Sequence, residues 1–376
     1  MIFHQTSDDG YLTSLMPRIP ELLFCVMRTG YVAVGVFFVL SGFVLSYAHE
    51  PELCHRWSWR ESRRFLYNRF ARIYPGYVVG LMLVMPIVGF ELAKSHVPVD
   101  KGKESVTALL NWTLLQTWIP SMAASWNGPA WSLSNEAFFY LTFPIVGVWL
   151  WKITRKREVA FVSLALWASG LVGPMIAVLL PIHGFGNVPA TSPLADADPF
   201  WSNFFKYYPL LHLPDFCIGI AAGKLFRILR NEKSSLAGRG YLIYGPALIL
   251  ELMVLFEGNR IPYPLLHNAL LLPLHGALIL GLALSGRGPV RVLSNSAVVF
   301  LGHASYAMYI IHLPFSIWLN FVIRPFLPGR PSGVPVMLAY LVLVICLASL
   351  QFRWIEQPAN KILKTWFRRD VTPAKI

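Results

Sequence analysis

Along this chain, polar residues are confined to short intervals between long apolar runs. A membrane-spanning helix needs about 20 mostly apolar residues, because in hydrocarbon only intrahelical hydrogen bonds satisfy the backbone. Nine stretches meet that need: residues 31–48, 74–93, 133–151, 159–181, 209–226, 240–257, 263–285, 297–322 and 334–352. Residues 105–118 are apolar too, but short and amphipathic, and they read as a re-entrant or interfacial segment. Pro75, Pro181, Pro209, Gly258 and Pro289 punctuate the ends of the runs. The pattern predicts an all-α polytopic membrane protein, with residues 1–370 as one transmembrane domain and 371–376 as a short tail. No internal repeat or appended soluble domain interrupts it.

Composition excludes a soluble fold. Of 376 residues, 55% are hydrophobic and 14% charged, whereas an ordinary soluble domain carries about 25% charged residues. The net charge of +13 would suit nucleic acid, but the cations sit in clusters between apolar runs. The clusters span Arg56–Arg72, Lys152–Arg157, Lys224–Arg239, Arg287 with Arg291, and the tail from Arg353. All of them fall on one face of the span map. The positive-inside rule then predicts a cytoplasmic C-terminus, residues 5–30 outside, and a multi-pass protein of the cell's inner membrane. Cys25, Cys54, Cys217 and Cys346 are scattered without metal-ligand spacing, so free thiols and no metal are expected. Met1–His4 runs directly into the polar Gln5–Gly10 and reads as the end of a spanning helix. The expectation is a tenth helix upstream, lost by truncation or by a start assigned too late.

Several polar residues stand out. Arg69 and Arg72 share one helix face by their i, i+3 spacing and could grip phosphates with forked hydrogen bonds. An interfacial helix holding anionic lipid, with Arg60, Arg63, Arg64, Trp57, Trp59 and Phe65, fits the same stretch. Glu136 lies near the outer end of the 133–151 run, where a carboxylate needs a partner, a wet cavity or headgroup solvation. Tyr309 precedes His312 by three residues, so the two share a groove near the bilayer midplane. His312 fits either a catalytic or a packed, hydrogen-bonding role. Ser41 and Gly42 read as a small-residue packing face, with polar lining the alternative for Ser41, and Arg353 with Glu356 as a helix-end ion pair.

Six local patterns occur in order: GYVAVGVFFVLSGF at 30–43, RFARIYPG at 69–76, PAWSLSNEAFFYLTFP at 129–144, LPDFCIGIAAG at 213–223, SYAMYIIHLPF at 305–315 and WIEQPANKIL at 354–363. Together they resemble the acyltransferase 3 family of integral membrane enzymes. The resemblance implies a ten-helix bundle, nine of whose helices are visible here. It implies transfer of an acyl group, usually acetyl, from acyl-CoA to a hydroxyl of a carbohydrate or glycolipid, as in cell-surface polysaccharide O-acetylation. It also implies His4 as catalytic base, Glu136 as a site member that orients His4 or binds acceptor hydroxyls, and Arg69 and Arg72 as acyl-CoA-binding residues. Trp131, Ser132, Tyr306, Tyr309 and His312 would line the site. Two departures are visible. The family's Arg eleven positions before the His has no counterpart, because three residues precede His4, and Ala33 and Gly35 stand where members often carry Gly and Asp.

The topology predicts that Arg69 and Arg72 lie inside and that His4 and Glu136 lie toward the opposite face, across about 30 Å of hydrocarbon. Direct attack by the acceptor and a transient acyl-enzyme both fit. A permease or exporter of a glycolipid or small polar solute is the rival reading, since intramembrane His and Glu also mark transport paths, although the repeats common in transporters are not seen. An inactive, truncated acyltransferase is the third.

Overall fold

A computed structural model describes residues 3–6, 10–12, 19–50, 58–94, 100–180, 188–191, 199–232, 234–323, 326 and 332–371. Cys54, Arg56, Trp57 and the tail beyond residue 371 lie outside them. The helices in chain order are α1 (Glu21–Arg28), α2 (Ala33–Ala48), α3 (Trp59–Lys94), α4 (Lys101–Trp112), α5 (Trp131–Trp151) and α6 (Lys156–Leu179). They continue with α7 (Pro199–Tyr207), α8 (Pro209–Asn231), α9 (Tyr241–Phe256), α10 (Tyr263–His267), α11 (Leu272–Leu284) and α12 (Arg287–Leu293). The last are α13 (Ser296–Ile323), α14 (Val334–Gln351) and α15 (Gln357–Val371), with a π-turn at Phe352–Glu356 between α14 and α15. Among the described residues no strand forms, only isolated bridges such as Pro189 with Pro262.

All nine apolar stretches are helical, and among the described residues seven helices are long and apolar enough to cross a membrane. The other two differ for visible reasons. α9 has 16 residues, and α8 carries His212, Asp215 and Lys224 within its apolar run. The chain is a multi-pass, all-α membrane protein.

Two boundaries differ from the sequence pattern. The Arg-rich segment before residue 74 joins the following run as one 36-residue helix, α3, which continues through Pro75 and Pro86. The run at 263–285 is broken into α10 and α11 by a turn at Asn268, whose side-chain amide donates to Pro264 O at 2.7 Å. The early residues Phe3–Gln5 form a single 3₁₀ turn.

Small residues allow close helix crossings. α2 and α8 meet where Gly42 faces the Phe216 carbonyl and Gly219 faces the Val39 carbonyl, so that a Cβ at either glycine would collide with backbone. Lipid gives two helices no hydrophobic reason to associate, and close backbone contact supplies dispersion energy instead. α3 and α13 lie side by side and run in the same direction: Tyr306 Oη donates to Ile73 O at 2.6 Å, and Trp318 Nε1 to Leu83 O at 2.8 Å. The core is aromatic, with Tyr77, Phe139, Phe143 and Phe216 fully buried. The described cysteines Cys25, Cys217 and Cys346 are free thiols.

Candidate active site

Helical spacing aims the first group of residues. Glu136 and Tyr140 are four apart on α5, and the Tyr140 hydroxyl donates a short hydrogen bond to Glu136 Oε1. Ser41 on α2 donates to the same oxygen at 3.2 Å, so Ser41 lines a polar site as well as packing. The nearby cations are Arg72 and Arg69, whose charges act on the Glu136 carboxyl. Arg69 lies over the Phe65 ring at 5.6 Å, and its Nε is buried without a hydrogen-bond partner among the described residues. A buried donor without an acceptor is costly, and an incoming anion would satisfy it.

This placement corrects one expectation. Glu136 stands at the level of Arg69 and Arg72 and not across the bilayer from them. The reason is the connector before α5. Three single 3₁₀ turns, Gln116–Trp118, Pro120–Met122 and Gly128–Ala130, precede the helix, and Leu114 and Trp126 adopt left-handed backbone with φ 58°. Ser134 Oγ donates to Leu114 O at 2.6 Å, and Asn127 Nδ2 to Ile310 O at 2.9 Å. These bonds hold α5 with its first turn against the middle of α13, so Glu136 comes one further turn toward the arginines.

The second group centres on His4. Its ring lies 5.1 Å from that of His312, which is 1% exposed. His312 Nδ1 sits 2.7 Å from Tyr309 O. A carbonyl only accepts, so Nδ1 carries the proton and Nε2 presents a lone pair. Among the described residues that Nε2 is buried without a hydrogen-bond partner. Tyr309 Oη donates to Pro129 O at 2.8 Å and accepts from Ser132 Oγ at 2.8 Å. Trp131, adjacent in the chain, packs edge-on to Phe38 at 5.8 Å. The structure therefore joins His4, His312, Tyr309 and Ser132 in one seam, with Glu136 one helical turn beyond Ser132 toward the arginines.

A third feature was not evident from sequence. Arg72, His303, Tyr306, Phe352, Glu356, Gln357 and Asn360 line a pocket of about 220 Å³. His303 and Phe352 stack face to face, centroids 5.8 Å apart. Glu356 accepts from Gln351 Nε2 at 3.0 Å and abuts Gly76, where a Cβ would clash with its carboxylate and with Tyr306. The Arg353–Glu356 ion pair expected from spacing does not form. The π-turn adds a residue to the helical repeat, which sends Glu356 inward and Arg353 outward.

Among the described residues no group of His, Cys, Asp and Glu is arranged to hold a metal. Outside the spans, burial pushes the Lys206 ammonium down to about 8 and the Tyr207 phenol up to about 12.

Comparison with known proteins follows the geometry. The family model described as acyltransferase domain matches residues 2–351. The chain is similar to "Acyltransferase MdmB" of Streptomyces mycarofaciens, 30% identical over 368 residues, covering 95% of this chain and 87% of that protein. It is also similar to a Bacillus subtilis (strain 168) protein provisionally named peptidoglycan O-acetyltransferase YrhL, 25% identical over 88% of this chain. A third relative, from Staphylococcus aureus (strain COL), is provisionally named O-acetyltransferase SACOL0978 and is 23% identical over 88% of this chain. The chain spans about half the length of these last two, 50% and 53%. No solved structure matches.

Proposed function

The chain belongs to the acyltransferase family and is a membrane O-acyltransferase, and we propose that its donor is acyl-CoA, with acetyl-CoA the simplest case, and its acceptor a hydroxyl of a carbohydrate or glycolipid. The observation that carries this reading is the recess beside Arg72. It combines a guanidinium, the amides of Gln357 and Asn360 and the stacked rings of His303 and Phe352. A guanidinium with amides suits phosphate, and flat rings suit a nucleobase. CoA brings both. Arg69, with its unpartnered Nε nearby, is the second phosphate ligand. One relative is named for peptidoglycan, a carbohydrate polymer, which fits the acceptor class. In this reading the arginine end and the C-terminus face the cytoplasm, and the protein resides in the cell's inner membrane.

The residues divide the chemistry. The His4 imidazole takes the proton of the acceptor hydroxyl as its oxygen attacks the thioester carbonyl. A C–O bond forms and the C–S bond breaks. The departing thiolate of CoA receives the proton, so the products are the ester and free CoA thiol. His312, its ring 5.1 Å away, packs against the His4 imidazole and positions it. Glu136 acts on the arginines, whose charges reach its carboxyl. It fixes their charge toward the donor while Tyr140 and Ser41 hold its carboxylate.

Membranes containing the protein, given acetyl-CoA labelled in the acetyl group, test the proposal. Ester-linked label on a carbohydrate or glycolipid is the expected result. Label transferred to no hydroxyl compound, with no CoA released, would overturn it.

A further inference from the structure

Beside the His4 seam lies a second cluster that the reaction has not used. Trp131 packs against Tyr207 with centroids 5.0 Å apart and against His267 at 5.8 Å. His267 stacks on Tyr263 at 5.2 Å and on Tyr31 at 5.2 Å. Lys206 enters this group from α7, its Nζ 5.7 Å from the Tyr207 centroid and 5.6 Å from that of Tyr263.

Three observations separate this cluster from ordinary packing. First, among the described residues no carboxylate lies within ion-pair distance of Lys206, and burial alone acts on its charge. A largely buried ammonium with only ring faces for company is expensive. Second, the lysine is held there deliberately. His212 Nε2 lies 2.7 Å from Lys206 O and so donates to it, while His212 Nδ1 lies 3.3 Å from Asp215 Oδ2. Both residues are buried, at 2% and 1% exposure. Third, the cluster closes a ring with the candidate base. Tyr31 meets Phe3 at 5.4 Å, Phe3 meets His4 at 5.1 Å, and His4 meets His312. The ring returns through Tyr309 and Ser132 to Trp131. One continuous run of ring contacts therefore links the aromatic neighbours of Lys206 to the imidazole of His4, apart from the Arg72 recess.

We propose that Trp131, Tyr207, Tyr263 and His267, with the ammonium of Lys206, form the acceptor subsite, and that it takes an anionic sugar, a hydroxylated ring bearing a carboxylate or a phosphate. Aromatic faces receive the C–H face of a sugar ring, and the ammonium receives its anion. His212 and Asp215 are positioning residues that fix the backbone of Lys206. The proposal rests on the acyltransfer reading for its reaction, but not for its binding measurement.

Equilibrium dialysis of the detergent-purified full chain, without acyl-CoA, tests it with three labelled probes: methyl β-D-glucuronide, glucose 1-phosphate and methyl β-D-glucoside. At least one anionic probe should bind tenfold or more tightly than the neutral glucoside. Which of the two does so distinguishes carboxylate from phosphate. Lys206→Met should remove that preference, and Lys206→Arg should keep it. Acetyl-CoA binding by the Lys206→Met protein reports that it is folded. If that variant fails to fold, the wild-type pH profile gives the answer. Affinity for the anionic probe should fall as pH rises through about 8 while that for the glucoside stays level. The other titratable groups against Lys206 are Tyr207, Tyr263, His267 and the His212–Asp215 pair. Glucoside binding as tight as the anionic probes, no binding of any probe, or an anionic preference that survives Lys206→Met would each overturn the proposal. Wild-type protein that binds an anionic sugar but not acetyl-CoA would sink the donor reading and leave this one standing.

Discussion

Replacing Arg72 with Gln removes one positive charge from the donor recess and leaves its packing and part of its hydrogen bonding. The pocket holds about 220 Å³ between Arg72, Glu356, Tyr306 and Asn360, so a phosphate there would be shielded from water on several sides. A hydrogen bond to a charged group contributes about 1.5–3 kcal/mol. At 1.4 kcal/mol per tenfold, its loss should raise KM for acetyl-CoA by roughly 10- to 150-fold. Because the nucleotide end lies far from the thioester, the kcat should change by no more than a few fold. The discriminating assay compares acetyl-CoA with acetyl-pantetheine, which has the thioester but lacks the nucleotide phosphates. Acetyl-pantetheine should be transferred at similar KM by wild type and Arg72→Gln. If both donors suffer equally, Arg72 does not hold the phosphates, and its task lies with Glu136 or Glu356 instead.

Further outcomes follow from the same contacts. His4→Ala should lower transfer by about 10²- to 10⁴-fold, the usual yield of a positioned base, while acetyl-CoA binding persists; full activity would end its role. Tyr309→Phe deletes the hydroxyl between Ser132 and Pro129 O and should cost about 1 kcal/mol of stability and reduce kcat, with KM for acetyl-CoA unmoved. Gly42→Leu drives a side chain into the Phe216 carbonyl and should destabilise by at least about 1–3 kcal/mol, read as a lower melting temperature in detergent; an unchanged melt would contradict the close crossing. Transfer to an anionic acceptor should decline above pH 8, because the Lys206 ammonium, lowered to about 8 by burial, exists below that pH and is lost above it.

The spans were legible because hydrocarbon imposes one requirement, length without charge, and residues 31–48 through 334–352 state it locally. Helix joins were less legible. The arginines from Arg60 to Arg72 depress average hydropathy, yet their long stems let α3 run on through them. The site divides in the same way. Arg69 with Arg72 and Tyr309 with His312 are neighbours by helical spacing, so sequence pairs them. Glu136 with Tyr140 obeys the same i, i+4 rule and could have been found. Ser41 with Glu136, His4 with His312, and Lys206 with Tyr263 join elements far apart in the chain, and no local pattern encodes them. The level of Glu136 depended on how residues 113–130 fold back, which left-handed backbone at a Leu and a Trp conceals. The π-turn likewise reversed the expectation for Glu356.

The recess beside Arg72, the proposed donor site, has an unusual place in the order of synthesis. Phe352, Glu356, Gln357 and Asn360 all follow residue 351, where the family match ends, and every other wall of the recess is made earlier. A nascent chain still on the ribosome can thread every preceding segment into lipid and remain unable to grip a nucleotide. Only when the amphipathic stretch Gln357–Val371 folds back along α3 is the proposed donor recess complete. In that reading catalytic competence waits on the stretch after residue 351, and a chain stopped there should be stably inserted but silent.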